Sequence, residues 1–148
     1  HRRSNAMYAG GATGLATLRR DGFSSMDSGR SGASLITHPV KFSGNYLFVN
    51  CDSSKGEFEV EILDSYGEVI RPYTADNCVT LSCDSSKQMI KWSGANDLKQ
   101  LSGRTVRFRF NSTDTTLFSF WVSPWMTGES NGYVAAGGPG FPSGIDSK

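Results

Sequence analysis

The side chains that could carry out catalysis are few, and their spacing is wrong for it. A hydrolase needs a nucleophile beside a base, or two carboxylates that face one substrate. The chain has two histidines, of which His1 is terminal and His38 has no nucleophile motif around it. Glu57, Glu59 and Glu61 recur at every second position, which is typical of the solvated face of a strand. The sequence therefore predicts a protein that is not an enzyme.

Aromatic and cationic side chains make a carbohydrate-binding surface the better candidate. Such surfaces combine a rigid exposed ring, which stacks on the apolar face of a sugar, with a few polar groups that bind hydroxyls. Trp121 together with Arg107 and Arg109 supplies this set if their strands are neighbours. Trp125 and Tyr133 are expected on a loop, where they are also free to bind. In the alternative, Trp121 is covered by the N-terminal segment or the Gly-rich tail, and arginines cap it by cation–π contacts.

A pair of arginines, Arg19 and Arg20, precedes the turn-forming dipeptide Asp21-Gly22. Paired guanidinium groups can bind the carboxylate or sulfate of an acidic glycan. They can equally form ion pairs with nearby carboxylates of the protein, with Asp21-Gly22 as a simple turn. We favour the structural interpretation.

Three cysteines leave at least one thiol without a partner in the monomer. Cys51 and Cys83 each follow a strand-like run and each precede Asp-Ser-Ser-Lys, so a disulfide, if one forms, is expected between them. Three small buried side chains are the alternative. Cys78 and Cys83 have C-x₄-C spacing without a second pair or a nearby histidine, which argues against zinc.

No cofactor is predicted. A structural calcium ion is left open, because several aspartates lie in or near turns, although none belongs to a calcium-loop motif; they are Asp27, Asp52, Asp64, Asp76 and Asp84. Asn111-Ser-Thr113 is a glycosylation sequon, expected at the exposed tip of a hairpin.

The elements that must position these residues are strands. Apolar side chains alternate with polar ones in three runs, which predicts half-buried antiparallel strands; the inward positions are Phe58, Val60 and Ile62, then Val106, Phe108 and Phe110, then Phe118, Phe120 and Val122. Turn signals recur about every 8–12 residues, as in sandwiches. We expect an all-β, antiparallel, jelly-roll-like β-sandwich of about eight to ten strands.

Finer expectations follow from the same pattern. The runs 106–110 and 117–122 should form a hairpin across Asn111–Thr116, which would place Arg107, Arg109 and Trp121 on one face. Trp92 is expected in the core. The only helical candidate, Ala95–Leu101, should be a single-turn insert.

Length and charge suit a single domain over residues 1–148, with residues 1–7 as an N-terminal arm and residues 142–148 as a frayed tail. A net charge of +1 gives no broad basic field for nucleic acid, and no apolar run is long enough to span a membrane. The first residues do not look like a signal peptide, so we expect a processed product or a fragment of a longer protein.

Several segments from about residue 7 to residue 141 resemble one family: YAGGATGLATLRRDGF (8–23), GNYLFVN (44–50), VEILDSYG (60–67), KWSG (91–94), LSGRTVRFRF (101–110), FWVSP (120–124) and GYVAAGGPGF (132–141). They resemble the β-sandwich module that follows a five-bladed β-propeller in invertase-like and sialidase-like secreted proteins related to glycoside hydrolases. The catalytic carboxylates of such proteins lie in the propeller.

The resemblance implies a secreted, extracellular, non-catalytic accessory domain that packs against a propeller of its parent protein, with carbohydrate as its candidate ligand. The alternative is a secreted structural subunit that self-associates, because Gly-rich arms at both ends could add to a neighbour's sheet.

Overall fold

The strands of the chain form two antiparallel sheets packed face to face, in a computed structural model that describes residues 12–132 and 145–147. The strands are β1 (Met26–Asp27), β2 (Ala33–Ile36), β3 (Tyr46–Asp52), β4 (Glu57–Leu63), β5 (Asp84–Met89), β6 (Arg107–Thr113) and β7 (Thr116–Ser123). The four-stranded sheet has the order β1-β7-β3-β5, and the three-stranded sheet has the order β2-β6-β4. The predicted all-β antiparallel sandwich is confirmed.

The strand number differs from that prediction, whereas the short helical insert agrees with it. The described residues contain seven strands rather than eight to ten, because the segments 64–83 and 90–106 form mostly turns and isolated bridges. The helical candidate Ala95–Leu101 is reduced to one 3₁₀ turn at Lys99–Leu101, as expected of a single-turn insert.

The core lies between the inward faces of β3, β4, β6 and β7. Phe58, Phe108 and Phe110 are almost completely buried, and Phe120 of the opposite sheet lies 4.9 Å from Phe110 between ring centroids. Trp92 is buried as predicted, and its indole N–H donates to the carbonyl of Val60 at 2.8 Å. The alternation of the strands therefore did identify the buried face.

Successive strands alternate between the two sheets along the whole order from β1 to β7. β6 pairs with β2 and β4, whereas β7 pairs with β3 and β1. The expected β6–β7 hairpin is therefore wrong, and Asp114–Thr115 is a corner between sheets. Alternation specifies which side chains face the core, but it does not specify which strands are neighbours in a sheet. Two strands that belong to different sheets and face each other across the core show the same alternation.

A bulge in β7 changes the outward set. Asn50 is opposite Ser119, but the next residue, Cys51, is opposite Leu117, so Phe118 is the extra residue. Leu117 joins the core instead, while the Arg19 guanidinium lies over the Phe118 ring at 4.7 Å. The prediction that Phe118 points inward is therefore wrong.

Ile145–Ser147, expected in a frayed tail, pack against the segment before the undescribed residues 133–144. The backbone N–H of Asn131 donates to the carbonyl of Asp146 at 2.8 Å, and the N–H of Asp146 donates to Gly132 at 2.9 Å. Asp146 is buried. This short antiparallel contact, together with the side-chain bonds of Asp146, holds residues 145–147 on the sandwich.

No helix in the part of the chain that the structure describes is long and apolar enough to cross a membrane.

Candidate functional site

The outer face of the four-stranded sheet, here called the covered face, carries Trp121. Its indole N–H donates to the carbonyl of Gly128 at 3.0 Å, and its ring stacks on Phe48 with 5.7 Å between centroids and 15° between planes. The guanidinium of Arg20 lies 5.9 Å from the Trp121 ring centroid. Trp121 is therefore held against the loop after β7 and the N-terminal segment, which leaves it a poor platform for a sugar.

Arg19 fixes the N-terminal segment to the covered face. Its Nε donates to Asn50 Oδ1 at 2.5 Å, and its Nη1 forms an ion pair with Asp84 Oδ1 at 2.5 Å. The Asn50 amide, which is completely buried, donates in turn to the carbonyl of Arg20 at 2.5 Å. A buried amide whose oxygen and nitrogen both form hydrogen bonds holds the two segments that it connects together.

Arg20 connects the N-terminal segment to a residue near the C-terminus, Asp146. Its Nη2 forms an ion pair with Asp146 Oδ2 at 2.5 Å. Burial raises the pKa of the Asp146 carboxyl, but the N–H and hydroxyl of Ser130 and the Arg20 guanidinium outweigh it, so the pKa lies below its usual value. The structural interpretation of the arginine pair is confirmed, because both guanidinium groups are held by carboxylates of the protein.

Of the remaining aromatic candidates, Trp125 lies on the loop after β7. The backbone N–H of Trp125 donates to the Ser123 hydroxyl at 3.1 Å, which in turn donates to the carbonyl of Glu129 at 2.8 Å. Trp125 is half-buried. Tyr133 lies outside the described residues.

Arg107 and Arg109 lie on the opposite side of the molecule, on the outer face of the three-stranded sheet, here called the open face. The expectation that they flank Trp121 is wrong, because β6 and β7 belong to different sheets. Arg109 Nη1 pairs with Glu61 Oε2 at 2.9 Å, and Arg107 Nη1 donates to the carbonyl of Thr37 at 3.3 Å. Glu57, Glu59 and Glu61 share this face, as predicted.

An exposed aromatic ring does lie beside these arginines, and it is Tyr66. A shallow depression of about 230 Å³ is lined by Tyr66, Arg107 and Arg109 together with Ile36, Leu63, Ser65 and Gly67. The register explains the proximity, since Leu63 at the end of β4 pairs with Arg107 at the start of β6. The turn that follows β4 must therefore project next to Arg107.

The turn that carries Tyr66 is closed by hydrogen bonds of Asp64. Asp64 Oδ1 accepts the backbone N–H groups of Tyr66 at 2.8 Å and Glu68 at 3.0 Å. Gly67 adopts φ +91°, which favours glycine over other residues. The Tyr66 side chain is 91% exposed. The residues Asp-Ser-Tyr-Gly indicate such a turn in the sequence, but they do not indicate what lies beside it.

A larger cleft of about 520 Å³ opens beside β3 and the end of β5. Its polar residues are partly engaged: the Asn45 amide donates to Pro124 O at 3.3 Å, and Asp97 Oδ1 accepts the N–H of Lys99 at 2.9 Å. Its floor is the apolar set Leu47, Ile90, Trp92 and Leu98, and its other lining residues include Tyr46, Val79, Met89, Lys91, Asn96 and Met126. The cleft is a second place where a ligand could bind.

The glycosylation candidate lies in a different setting from the expected hairpin tip. Asn111 is half-buried within β6, the central strand of the three-stranded sheet, and it is opposite Ser34 and Glu59. The expected location was wrong for the same reason as the hairpin.

All three cysteines are free thiols in the structure, including Cys51 and Cys83, so the predicted bond between them is not formed. Burial raises the pKa of Cys51 to about 11, with the neighbouring Cys83 contributing, and burial also raises the pKa of Cys78 to about 11. Both thiols are therefore protonated near neutral pH and are poor nucleophiles. In the described ranges, no three His, Cys, Asp or Glu side chains are grouped to hold a metal.

Comparison with family models, curated proteins and solved structures gave no match to this chain.

Proposed function

We propose that the chain is a non-catalytic accessory β-sandwich of a secreted, glycosidase-like protein, and that it binds carbohydrate on the open face. The observation that carries the proposal is Tyr66, a 91% exposed residue on a hydrogen-bonded turn beside Arg107 and Arg109. The arginines were expected at such a surface from the sequence, and Tyr66 takes the role first assigned to Trp121.

Sugar binding is favoured by an aromatic ring that is carried on an ordered backbone segment. The apolar face of a pyranose stacks on an aromatic ring, and affinity increases when little conformational freedom is lost on binding. Asp64 accepts two hydrogen bonds from backbone N–H groups of the turn, and these order the backbone that presents Tyr66. Ser65 and the two arginines supply hydroxyl and guanidinium groups around the ring. A sugar stacked on Tyr66 thus has polar partners within the same depression.

The wider context comes from the resemblance to the module that follows a five-bladed propeller. In that context the sandwich accompanies a catalytic domain, and weak binding to a glycan would hold that domain near its substrate. Attachment to a parent protein and secretion into the extracellular space are parts of this proposal.

The test is a glycan array probed with the chain and with Tyr66→Ala, Tyr46→Ala and Trp125→Ala. We expect binding by the wild type that is lost in Tyr66→Ala and retained in the other two. Tyr46→Ala is the matched control, since it removes a tyrosine from the larger cleft. Loss only in Tyr46→Ala or Trp125→Ala would move the site, and no binding to any glycan would overturn the proposal.

Self-association is the second candidate, and exposed apolar side chains near the edge strand β1 favour it. Leu15, Leu18, Phe23 and Met26 are all exposed. A short edge strand with apolar neighbours can pair with a second copy. Light scattering of the wild type and Phe23→Ser checks this: a dimer that becomes a monomer in the variant supports it, and a monomeric wild type excludes it.

A further inference from the structure

We infer that the open-face site prefers an anionic sugar, one bearing a carboxylate or sulfate group, and that Arg107 recognises the charge. This inference rests on the proposed carbohydrate-binding function and names the class of ligand.

The two arginines of the site are in different electrostatic states. Arg109 forms an ion pair with Glu61, so its charge is compensated within the protein. Arg107 forms no ion pair with the described residues, and its bond is to the neutral carbonyl of Thr37. Among the described residues, therefore, one guanidinium of the depression beside Tyr66 has a carboxylate partner and the other has none.

Nearby carboxylates do not remove this asymmetry. Asp64 and Glu68 lie on either side of Tyr66 in its turn, but neither is among the residues that line the depression, and one oxygen of Asp64 accepts two backbone N–H groups of the turn. Glu61 is engaged on one oxygen by Arg109 and on the other by the N–H of Ala75. The charged side chains that line the depression are Arg107 and Arg109.

The donor set of Arg107 suits an oxyanion. A guanidinium has five N–H donors in a planar fork, and the described residues engage one of them, through Nη1. The remaining donors can bind a carboxylate or sulfate in a bidentate manner, through charge-assisted hydrogen bonds that are roughly twice as strong as hydrogen bonds between neutral groups. A sugar stacked on Tyr66 with an anionic substituent toward Arg107 would use both features.

The experiment measures binding of fluorescent oligosaccharides in two matched pairs. The first pair is oligogalacturonide and its methyl ester, and the second is a sulfated galactan oligosaccharide and its desulfated form. Each pair keeps the sugar ring and removes the charge, and comparison of the pairs distinguishes carboxylate from sulfate. The proteins are the wild type, Arg107→Gln, Arg107→Lys and the control Arg104→Gln, an exposed arginine outside the depression.

We expect the wild type to bind at least one charged probe at least about tenfold more tightly than its neutral partner. Arg107→Gln should remove that preference, Arg107→Lys should retain part of it, and Arg104→Gln should leave it unchanged. Added salt should weaken the charged probe selectively.

Equal binding of charged and neutral partners, or a preference that survives in Arg107→Gln, would overturn this inference and leave the proposed function in place. Failure of all four probes while a neutral glycan binds on the array would also overturn it. Failure of every glycan, including those on the array, would overturn the proposed function as well.

Discussion

On the covered face the outward side chains of Phe48, Asn50 and Ser123 are buried, whereas on the open face the outward side chains of β4 and β6 are not buried, apart from Leu63 at the end of β4. Both faces belong to strands with the same alternation of inward and outward residues. The difference comes from segments far away in the chain, since Arg19, Arg20 and Asp146 attach irregular segments to one sheet only. The same outward position can therefore hold the fold together or remain available to a ligand.

The largest expected contrast is between the two aromatic candidates. Trp121→Ala should lower the free energy of unfolding by about 3 kcal/mol, because it removes a large packed ring and its bond to Gly128. Tyr66→Ala should change it by less than about 0.5 kcal/mol, since that side chain is exposed. Urea unfolding measures both. Similar losses would contradict the distinction between the faces.

Two outward asparagines offer a matched pair. Asn50→Ala leaves the Arg19 guanidinium and the Arg20 carbonyl without their buried partner and should lower stability by about 2.5 kcal/mol. Asn111→Ala, within β6 on the open face, should cost under about 0.5 kcal/mol. Chemical denaturation of the two variants side by side checks this, and a costly Asn111→Ala would show that the open face is also structural.

Replacing two glycines with positive φ distinguishes the cost of a steric clash from the cost of backbone strain. A Cβ at Gly128 would lie 2.7 Å from Phe48 Cε1 in addition to the strain of φ +82°, so Gly128→Ala should cost about 2 kcal/mol. Gly67 has φ +91°, but a Cβ added there would have no atom within 4 Å. Gly67→Ala should therefore lower the free energy of unfolding by about 1 kcal/mol, from backbone strain alone. Thermal unfolding ranks them. A reversed order would mean that the loop does not press on Phe48.

The smallest effect is the pH dependence contributed by Asp146. Its folded pKa lies below the reference value of 3.8, so its contribution to stability is present above that pH and is lost as pH falls through the folded pKa. Asp146→Asn should be less stable than the wild type by about 1 kcal/mol at neutral pH, and the gap should close in acid. Unfolding at several pH values tests this. A gap independent of pH would show that charge is not involved.

Strand pairing and site composition were harder to predict than the core. Phe58, Phe108 and Trp92 were assigned correctly because burial follows from local alternation and size. The β6–β7 hairpin was wrong because alternation does not specify a partner strand, and the error carried Arg107, Arg109 and Trp121 onto one face. Tyr66 was overlooked because its turn was visible but its neighbour across the sheet was not.

The sequence by itself determined the all-β class, most of the inward side chains and turns such as Asp64–Gly67, because each depends on residues within a few positions of one another. Only the tertiary structure decided that successive strands alternate between sheets, that Tyr66 stands beside Arg107 and that Trp121 is covered. These outcomes depend on contacts such as Arg20 with Asp146, 126 positions apart, whose formation requires the whole chain to be folded.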